Sequence, residues 1–227
     1  MAHFYRQFMG PQDCCFDIGA HVGNRVRAWL SLGARVVAVE PQPICHAFLQ
    51  RWYGQNPGVT ILDQAVGAQA GQAELHVSAK TPTVTTMSQP WIDAVRQVDS
   101  FAQVQWTQAI PVQVTTLDDL IARYGLPAFC KIDVEGFEAD VLRGLSQPVP
   151  ALSFEYIPAA LAVATECMAQ LQALGPYEYN WTTGEQHRWQ NNRWVQADQA
   201  VAYLQGLTPE QNSGDIYARL VKNMPGL

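Results

Sequence analysis

Charged side chains are scarce in this sequence. They make up 15% of its 227 residues, against about 25% in an average soluble domain, and the lysines are Lys80, Lys131 and Lys222 alone. The formal net charge is -6, and the basic residues form no cluster. Because neutralising nucleic-acid phosphates takes clustered Lys and Arg, we expect no nucleic-acid partner. A folded surface with so few charges also fits self-association, so a homo-oligomer stays open.

Signals for disulfides and membranes are missing as well. The five cysteines form no C-x-x-C pair, and Cys14, Cys15 and Cys130 lie in apolar runs, where a free thiol behaves as a small hydrophobic group. No stretch approaches the about 18 apolar residues of a membrane span, and the first residues lack the layout of a signal peptide. These absences predict a reducing compartment, a cytoplasmic location and no membrane partner.

The N-terminal part alternates between strand-like and helix-like periodicities. Short apolar runs at 14–18, 35–39 and 59–62 are separated by helical patterns at 24–32 and 43–53. Strands and helices that alternate through short connections predict a parallel sheet covered by helices on both faces, which is a doubly wound α/β fold.

The remaining chain holds no linker that would divide it, so we expect a single domain over residues 1–227. The threonine-rich residues 80–108 are interpreted as an excursion above the sheet. Aromatic segments at 177–181 and 188–194 are predicted to be strands. Their tryptophans, Trp181, Trp189 and Trp194, favour a packed face or a dimer contact over a ligand-binding wall.

A glycine turn, DIGAHVGN, follows the first predicted strand. Gly19 and Gly23 permit unusual φ values and a close approach of the backbone to a ligand, and the helix start beyond them attracts anions. Glu40 stands at the tip of the second strand, about 20 residues further on, where an acidic residue accepts hydrogen bonds from ribose. The turn lacks the G-x-G-x-x-G pattern of dinucleotide sites, and the carboxylate of Asp17 suits a cationic cofactor. The pattern therefore points to S-adenosylmethionine rather than NAD.

Four sequence blocks carry a family resemblance. They are DIGAHVGN, the VEPQP that contains Glu40, KIDVEGFE with the VLRG that follows it, and GDIYA near the C-terminus. In this order they closely resemble the FkbM-type S-adenosylmethionine-dependent methyltransferases, over about residues 12 to 220. The resemblance implies the class I methyltransferase fold, a Rossmann-like seven-stranded sheet, mostly parallel, with an antiparallel last strand, and an O-methyltransferase activity.

The resemblance also implies a cofactor site. Asp17, Gly19, Ala20 and Gly23 would line the methionine part, Glu40 and Gln42 the ribose, and Gln64 and Ala65 the adenine. The complete set of candidate cofactor-binding residues is Asp17, Gly19, Ala20, His21, Gly23, Asn24, Glu40, Gln42, Gln64 and Ala65. His21 departs from the asparagine that is usual in the family, although an imidazole can also donate and accept hydrogen bonds.

Three carboxylates are the candidate catalytic residues: Asp133, Glu135 and Glu155. Ligands of open α/β sheets sit at the carboxyl ends of the strands, where these residues fall. Asp133 is the first choice, either as general base or as the group that holds the ammonium of the cofactor. Glu135 could instead cap the next helix, and Glu155 could be a solvated strand end. We expect no metal, since no ligand spacing such as H-x-x-x-H is present.

Together these patterns predict an S-adenosylmethionine-dependent O-methyltransferase. The acceptor would be a hydroxyl of a small molecule such as a sugar or a natural-product scaffold, recognised by residues 80–108. The alternatives are an NAD-dependent oxidoreductase and a nucleotide-binding module without catalysis.

Overall fold

A computed structural model describes residues 1–78 and 80–221 of the chain. Its strands are β1 (Cys14–Ile18), β2 (Arg35–Val39), β3 (Val59–Leu62), β4 (Ala65–Val66), β5 (Gly71–Val77), β6 (Gln108–Thr115), β7 (Phe129–Ile132), β8 (Ala151–Tyr156), β9 (Tyr177–Trp181) and β10 (Gly214–Leu220). Its α-helices are α1 (Ala2–Tyr5), α2 (Asn24–Leu30), α3 (Pro43–Tyr53), α4 (Gln89–Val95), α5 (Leu117–Tyr124), α6 (Glu138–Arg143), α7 (Leu161–Leu174) and α8 (Ala197–Gln205).

Seven strands form the central sheet, in the order β3-β2-β1-β7-β8-β10-β9. The pairings from β3 to β8 are parallel, whereas β10 runs antiparallel to both of its neighbours. This order confirms the predicted class I methyltransferase architecture with its antiparallel last strand. Since parallel strands end at the same edge, the segments after β1, β2, β7 and β8 come together there.

Two hydrophobic cores cover the two faces of the sheet. Alternate residues of β1 divide between them, because successive side chains of a strand point to opposite faces: Phe16 enters one core and Cys15 the other. Helices α5 to α8 contribute to the first core, and α1 to α3 contribute to the second. The five cysteines are buried free thiols, as predicted from their apolar surroundings for Cys14, Cys15 and Cys130.

A second, three-stranded sheet adjoins the first, in the order β4-β6-β5. Strand β5 pairs antiparallel with β6. Between them the excursion carries a 3₁₀ turn at Pro82–Val84 and helix α4. Ser88 begins α4 as a capping residue, because its hydroxyl accepts the N–H of Trp91 at 3.2 Å. The excursion is therefore an ordered part of the fold.

The predicted strand at 188–194 is wrong. Only Val195 pairs with Tyr179, as an isolated bridge, and the preceding residues form a loop. The side-chain amide of Asn180 donates a hydrogen bond to the carbonyl of Asn191 in this loop at 3.0 Å. In a sheet, a neighbouring strand would have bonded to that carbonyl. The aromatic residues that suggested a strand, Trp189 and Trp194, pack together with ring centroids 5.2 Å apart.

Among the described residues, no helix combines the length and the apolar character needed to cross a bilayer.

Candidate active site

A cavity of ≈ 620 Å³ opens at the carboxyl ends of β1, β2, β7 and β8. Its walls come from the glycine turn after β1, the segment after β2, strand β4, the excursion at 82–87, the turn after β7 and residues 185–187. Ligand cavities of proteins typically measure about 300–1,000 Å³. The cavity is thus large enough for a nucleoside cofactor and part of an acceptor.

The glycine turn passes directly against the end of β7. Gly19 has φ 81°, and a Cβ there would overlap with the carbonyl oxygen of Asp133. Gly23 has φ 76°, and a Cβ would lie 2.8 Å from the side chains of Leu49 and Tyr53. Glycine is required at both positions, because the left-handed backbone and the close approach each exclude a side chain.

Glu40 is held at the tip of β2 by the backbone. One of its carboxylate oxygens accepts the N–H of His21 at 2.8 Å, and the other accepts the N–H of Gln42 at 2.8 Å. Burial raises the pKa of Glu40 to about 7, against the effect of these two hydrogen bonds. The carboxylate faces the cavity and has further lone pairs that can accept hydrogen bonds from two neighbouring hydroxyls.

His21 shares this turn and reaches the cavity wall. Its φ is 47°, which is uncommon for a residue with a side chain. Burial lowers its pKa, which favours the neutral imidazole with one donor and one acceptor nitrogen.

Seven of the ten candidate cofactor residues line the cavity: Gly19, His21, Asn24, Glu40, Gln42, Gln64 and Ala65. The other three, Asp17, Ala20 and Gly23, are buried and are not part of its wall. Asp17 is 1% exposed, and burial raises its pKa to about 6. The described residues offer no hydrogen-bond partner to its Oδ2. Its contact with the cofactor remains a prediction.

The three candidate catalytic carboxylates meet at one place on the wall. Asp133, Glu135 and Glu155 each offer an oxygen, and these atoms lie within 4.8 Å of one another. Burial, followed by repulsion from Glu155, raises the pKa of Glu135 well above its usual range. Burial, followed by repulsion from Asp133, does the same to the pKa of Glu155. Such a group can share a proton or hold a cation, and it is the one candidate metal site among the described residues.

The structure does not support the alternatives in which Glu135 caps the next helix and Glu155 is a solvated strand end. Glu138, rather than Glu135, accepts the free N–H groups of this turn, from Val134 at 3.1 Å and from Gly136 at 3.2 Å. Glu135 has φ 54° and its carbonyl accepts the hydroxyl of Thr86 at 2.6 Å, while its side chain lines the cavity. Glu155 is only partly exposed, and its Oε2 is buried without a partner among the residues that are described.

Two cations contact Asp133, and sequence reasoning gave neither of them a role in the site. Arg25 Nη2 lies 3.4 Å from Asp133 Oδ2, and Lys131 Nζ lies 3.2 Å from the same oxygen. Lys131 also contacts Asp215 Oδ1 at 2.7 Å. Burial alone would lower the pKa of Lys131, but the attraction of both carboxylates outweighs it, and its pKa lies above the usual range. The sequence signal that could have identified Lys131 was a lysine inside an otherwise apolar strand.

Two segments enclose the end of the cavity next to the carboxylates. The excursion contributes Thr83, Thr85, Thr86 and Met87, and a separate turn contributes Glu185 and His187. The second segment was not expected from the sequence. The predicted packing role of two tryptophans is confirmed, since Trp189 and Trp194 belong to the core beside α1 rather than to this wall. Trp181 stacks on Tyr203, with ring centroids 4.2 Å apart.

Comparison with known families settles the assignment. Residues 17–204 match the methyltransferase FkbM domain. The chain belongs to this family.

Solved methyltransferase structures share the fold of this FkbM methyltransferase. A precorrin-6Y C5,15-methyltransferase from Geobacter metallireducens is 10% identical, with a TM-score of 0.51 over 97% of this chain and 86% of that one. Fibrillarin from Aeropyrum pernix, solved with natively bound S-adenosyl-L-methionine, is 11% identical, with a TM-score of 0.45 over 92% and 67% of the two chains. No curated protein matches the sequence.

S-adenosylmethionine is the cofactor of the FkbM methyltransferase, as the sequence predicted. The cavity fits it on physical grounds. The carboxylate of Glu40 suits the ribose hydroxyls, and the acidic wall suits a sulfonium cation. Glu40 follows β2 and Asp133 follows β7, on opposite sides of β1. The nucleoside end and the methyl-donating end therefore have separate places.

Proposed function

We propose that this FkbM methyltransferase transfers a methyl group from S-adenosylmethionine to a hydroxyl of a small molecule such as a sugar or a natural-product scaffold. The observation that carries the proposal is the pair Glu135 and Glu155, two partly buried carboxylates that open into the cavity beside the glycine turn. A hydroxyl is a poor nucleophile, so it needs a proton acceptor within hydrogen-bond distance.

The two glutamates suit the role of proton acceptor. Burial and repulsion from neighbouring carboxylates raise the pKa of both glutamates above its usual range, and in the proposed mechanism the two share one proton. The ionised glutamate accepts the proton of the acceptor hydroxyl, and the protonated one donates a hydrogen bond that orients it. When bound, S-adenosylmethionine supplies a methyl group that is already activated by its sulfonium.

The sequence left two roles open for Asp133, general base and holder of the cofactor's ammonium. We propose the second. Asp133 Oδ2 faces both Arg25 and Lys131, so this oxygen is already engaged by cations. We assign Asp133 to holding the ammonium of the cofactor rather than to removing the proton.

The surroundings favour a small, non-anionic acceptor. Carboxylates from Glu135, Glu155 and Glu185 line this end of the cavity, and Arg25 is the only arginine or lysine among the described residues that line it. A phosphate-rich nucleic acid would be repelled there, in agreement with the net charge of -6. The excursion also brings the hydroxyl of Thr83 to the cavity wall, where it offers hydrogen bonds to a polyol. The buried free thiols accord with the cytoplasmic location that we include in the proposal.

Calorimetry followed by an activity screen tests the proposal. S-adenosylhomocysteine should bind and NAD should not, and methyl transfer should appear within a panel of sugars and hydroxylated natural products. Glu155→Gln or Glu135→Gln should lower kcat by about 10²- to 10⁴-fold without a comparable loss of S-adenosylhomocysteine affinity. Glu74→Gln is the matched control, because Glu74 is exposed on β5 and away from the cavity.

Three results would contradict the proposal. NAD binding without S-adenosylhomocysteine binding would favour the oxidoreductase alternative. S-adenosylhomocysteine binding without transfer to any hydroxyl acceptor would favour the module without catalysis. A full kcat in both glutamine variants would remove the glutamates from the proton-accepting role.

A further inference from the structure

Arg25 and Asp133 stand side by side on the cavity wall, at the end that faces away from Glu40. Their closest atoms, Nη2 and Oδ2, are 3.4 Å apart, and both residues line the cavity next to Gly19. Arg25 lies outside the sequence blocks that carry the family resemblance. It projects from the first turn of α2, which the glycine turn places against the end of β7.

Arg25 is not the only cation beside Asp133. Lys131, fully buried beneath the wall, already contacts the same carboxylate oxygen at 3.2 Å. The other ion pair of Arg25 is with Glu185 at 3.2 Å, and the side chain of Glu185 is 72% exposed. An ion pair with so exposed a partner contributes little to stability.

The guanidinium of Arg25 also has unused hydrogen-bonding capacity. Both of its ion pairs use Nη2, and within residues 1–78 and 80–221 neither Nη1 nor Nε has a hydrogen-bond partner; Nε is enclosed by protein, whereas Nη1 is not. Yet the side chain is only 13% exposed. A cation that is kept largely out of water in a cavity wall, with incomplete partners, indicates a ligand that completes them.

The cofactor carries the complementary charges at one end. The methionine part of S-adenosylmethionine ends in a carboxylate and an ammonium on the same carbon. A guanidinium pairs with a carboxylate through two parallel hydrogen bonds, and a carboxylate accepts from an ammonium. Because Glu40 marks the nucleoside side of β1, the amino-acid end falls on the β7 side, where Arg25 and Asp133 lie.

We propose that Arg25 binds the carboxylate of the methionine part of the cofactor while the neighbouring Asp133 binds its ammonium. The pair forms a subsite for a zwitterion, and Lys131 holds Asp133 from below. Since this subsite concerns the cofactor alone, it is independent of which acceptor the enzyme uses and of which glutamate accepts the proton.

Calorimetry with three ligands separates the contribution of the carboxylate from that of the ammonium. S-adenosylhomocysteine has both charged groups, its decarboxylated analogue keeps only the ammonium, and 5′-methylthioadenosine has neither. The wild type should bind S-adenosylhomocysteine about 10- to 100-fold more tightly than the decarboxylated analogue. Equal affinity for these two ligands would overturn the proposal without the use of any variant.

Variants show which residue is responsible for the preference for the ligand that carries the carboxylate. Arg25→Met should remove the 10- to 100-fold preference for the carboxylate and leave 5′-methylthioadenosine binding unchanged, while Arg25→Lys should keep part of it. Asp133→Asn should weaken both ligands that carry the ammonium. Arg27→Met is the matched control, since Arg27 is exposed on the same helix and should change nothing.

Two outcomes in the variants would refute the subsite. One is an Arg25→Met protein that still discriminates between S-adenosylhomocysteine and its decarboxylated analogue as the wild type does. The other is a loss of affinity of the same size for all three ligands, because a carboxylate contact cannot affect 5′-methylthioadenosine. Thermal unfolding of each variant shows whether the compared proteins are equally folded.

Discussion

Lys131 should be one of the most destabilising positions to change, although it lies in a sequence block that marks function. Its side chain is 0% exposed and contacts Asp215 at 2.7 Å and Asp133 at 3.2 Å. Lys131→Met keeps a similar length and apolar stem but removes the charge. Both carboxylates would then remain largely buried with less compensation, and breaking a buried ion pair in this way costs about 3–5 kcal/mol.

The full loss of stability in Lys131→Met should be present at pH 7. The pKa of Lys131 is raised above its usual range, so its contribution to stability is complete below that range and is lost only as the pH rises beyond it. Burial alone would raise the pKa of Asp215, but Lys131, Arg25 and the hydrogen bonds from Lys131 and Tyr217 together outweigh it, and the pKa is lowered. The contribution of Asp215 is therefore complete above the usual carboxyl range and is lost only in stronger acid.

Urea unfolding at pH 7 measures the cost. The double variant Lys131→Met with Asp215→Asn should recover part of the stability, because one uncompensated carboxylate becomes neutral. Lys80→Met is the control, since Lys80 is exposed and its change should stay within about 0.5 kcal/mol. A cost below about 1 kcal/mol for Lys131→Met, or a double variant no more stable than the single one, would refute the reasoning.

Three further predictions concern the cavity. Gly19→Ala should cost at least about 2 kcal/mol in urea unfolding, from left-handed strain and overlap with Asp133, whereas Gly71→Ala, with open space around it, should not; equal effects would contradict this. Calorimetry should show S-adenosylhomocysteine affinity rising as the pH passes about 7, because Glu40 must be ionised to accept ribose hydroxyls, and Glu40→Gln should abolish that rise. Methyl transfer should survive a chelator, since Arg25 and Lys131 already face Asp133; a loss that Mg²⁺ restores would make the carboxylates a metal site.

The parts of the site that the sequence predicted are those determined by local spacing. A strand, a glycine turn and a helix follow one another within DIGAHVGN, and Glu40 ends the next strand, so their meeting at one sheet edge follows from parallel topology. The same logic brings Asp133, Glu135 and Glu155 together. The failed strand at 188–194 shows the limit, because its aromatic residues imitate a strand pattern while packing as a loop against α1.

Arg25 and Glu185 illustrate what local spacing cannot supply. They contact each other across 160 positions of sequence, and no motif links them. Asp17 shows that burial too is decided by the tertiary structure: its place in the glycine motif predicts a contact with the cofactor, the strand leaves it 1% exposed and outside the cavity wall, and the contact remains a prediction.

The sequence by itself determined the fold class, because alternating periodicities are properties of neighbouring residues. Its spaced glycine turn pointed to the cofactor, and its four motif blocks carried the family resemblance. Only the tertiary structure decided the electrostatics of the site. Which carboxylates are paired, which are left to repel each other, and which cation borders the cavity depend on distances between strands and loops that are far apart in the chain. Charge–charge energies vary with those distances and with burial, and neither is written in the order of the residues.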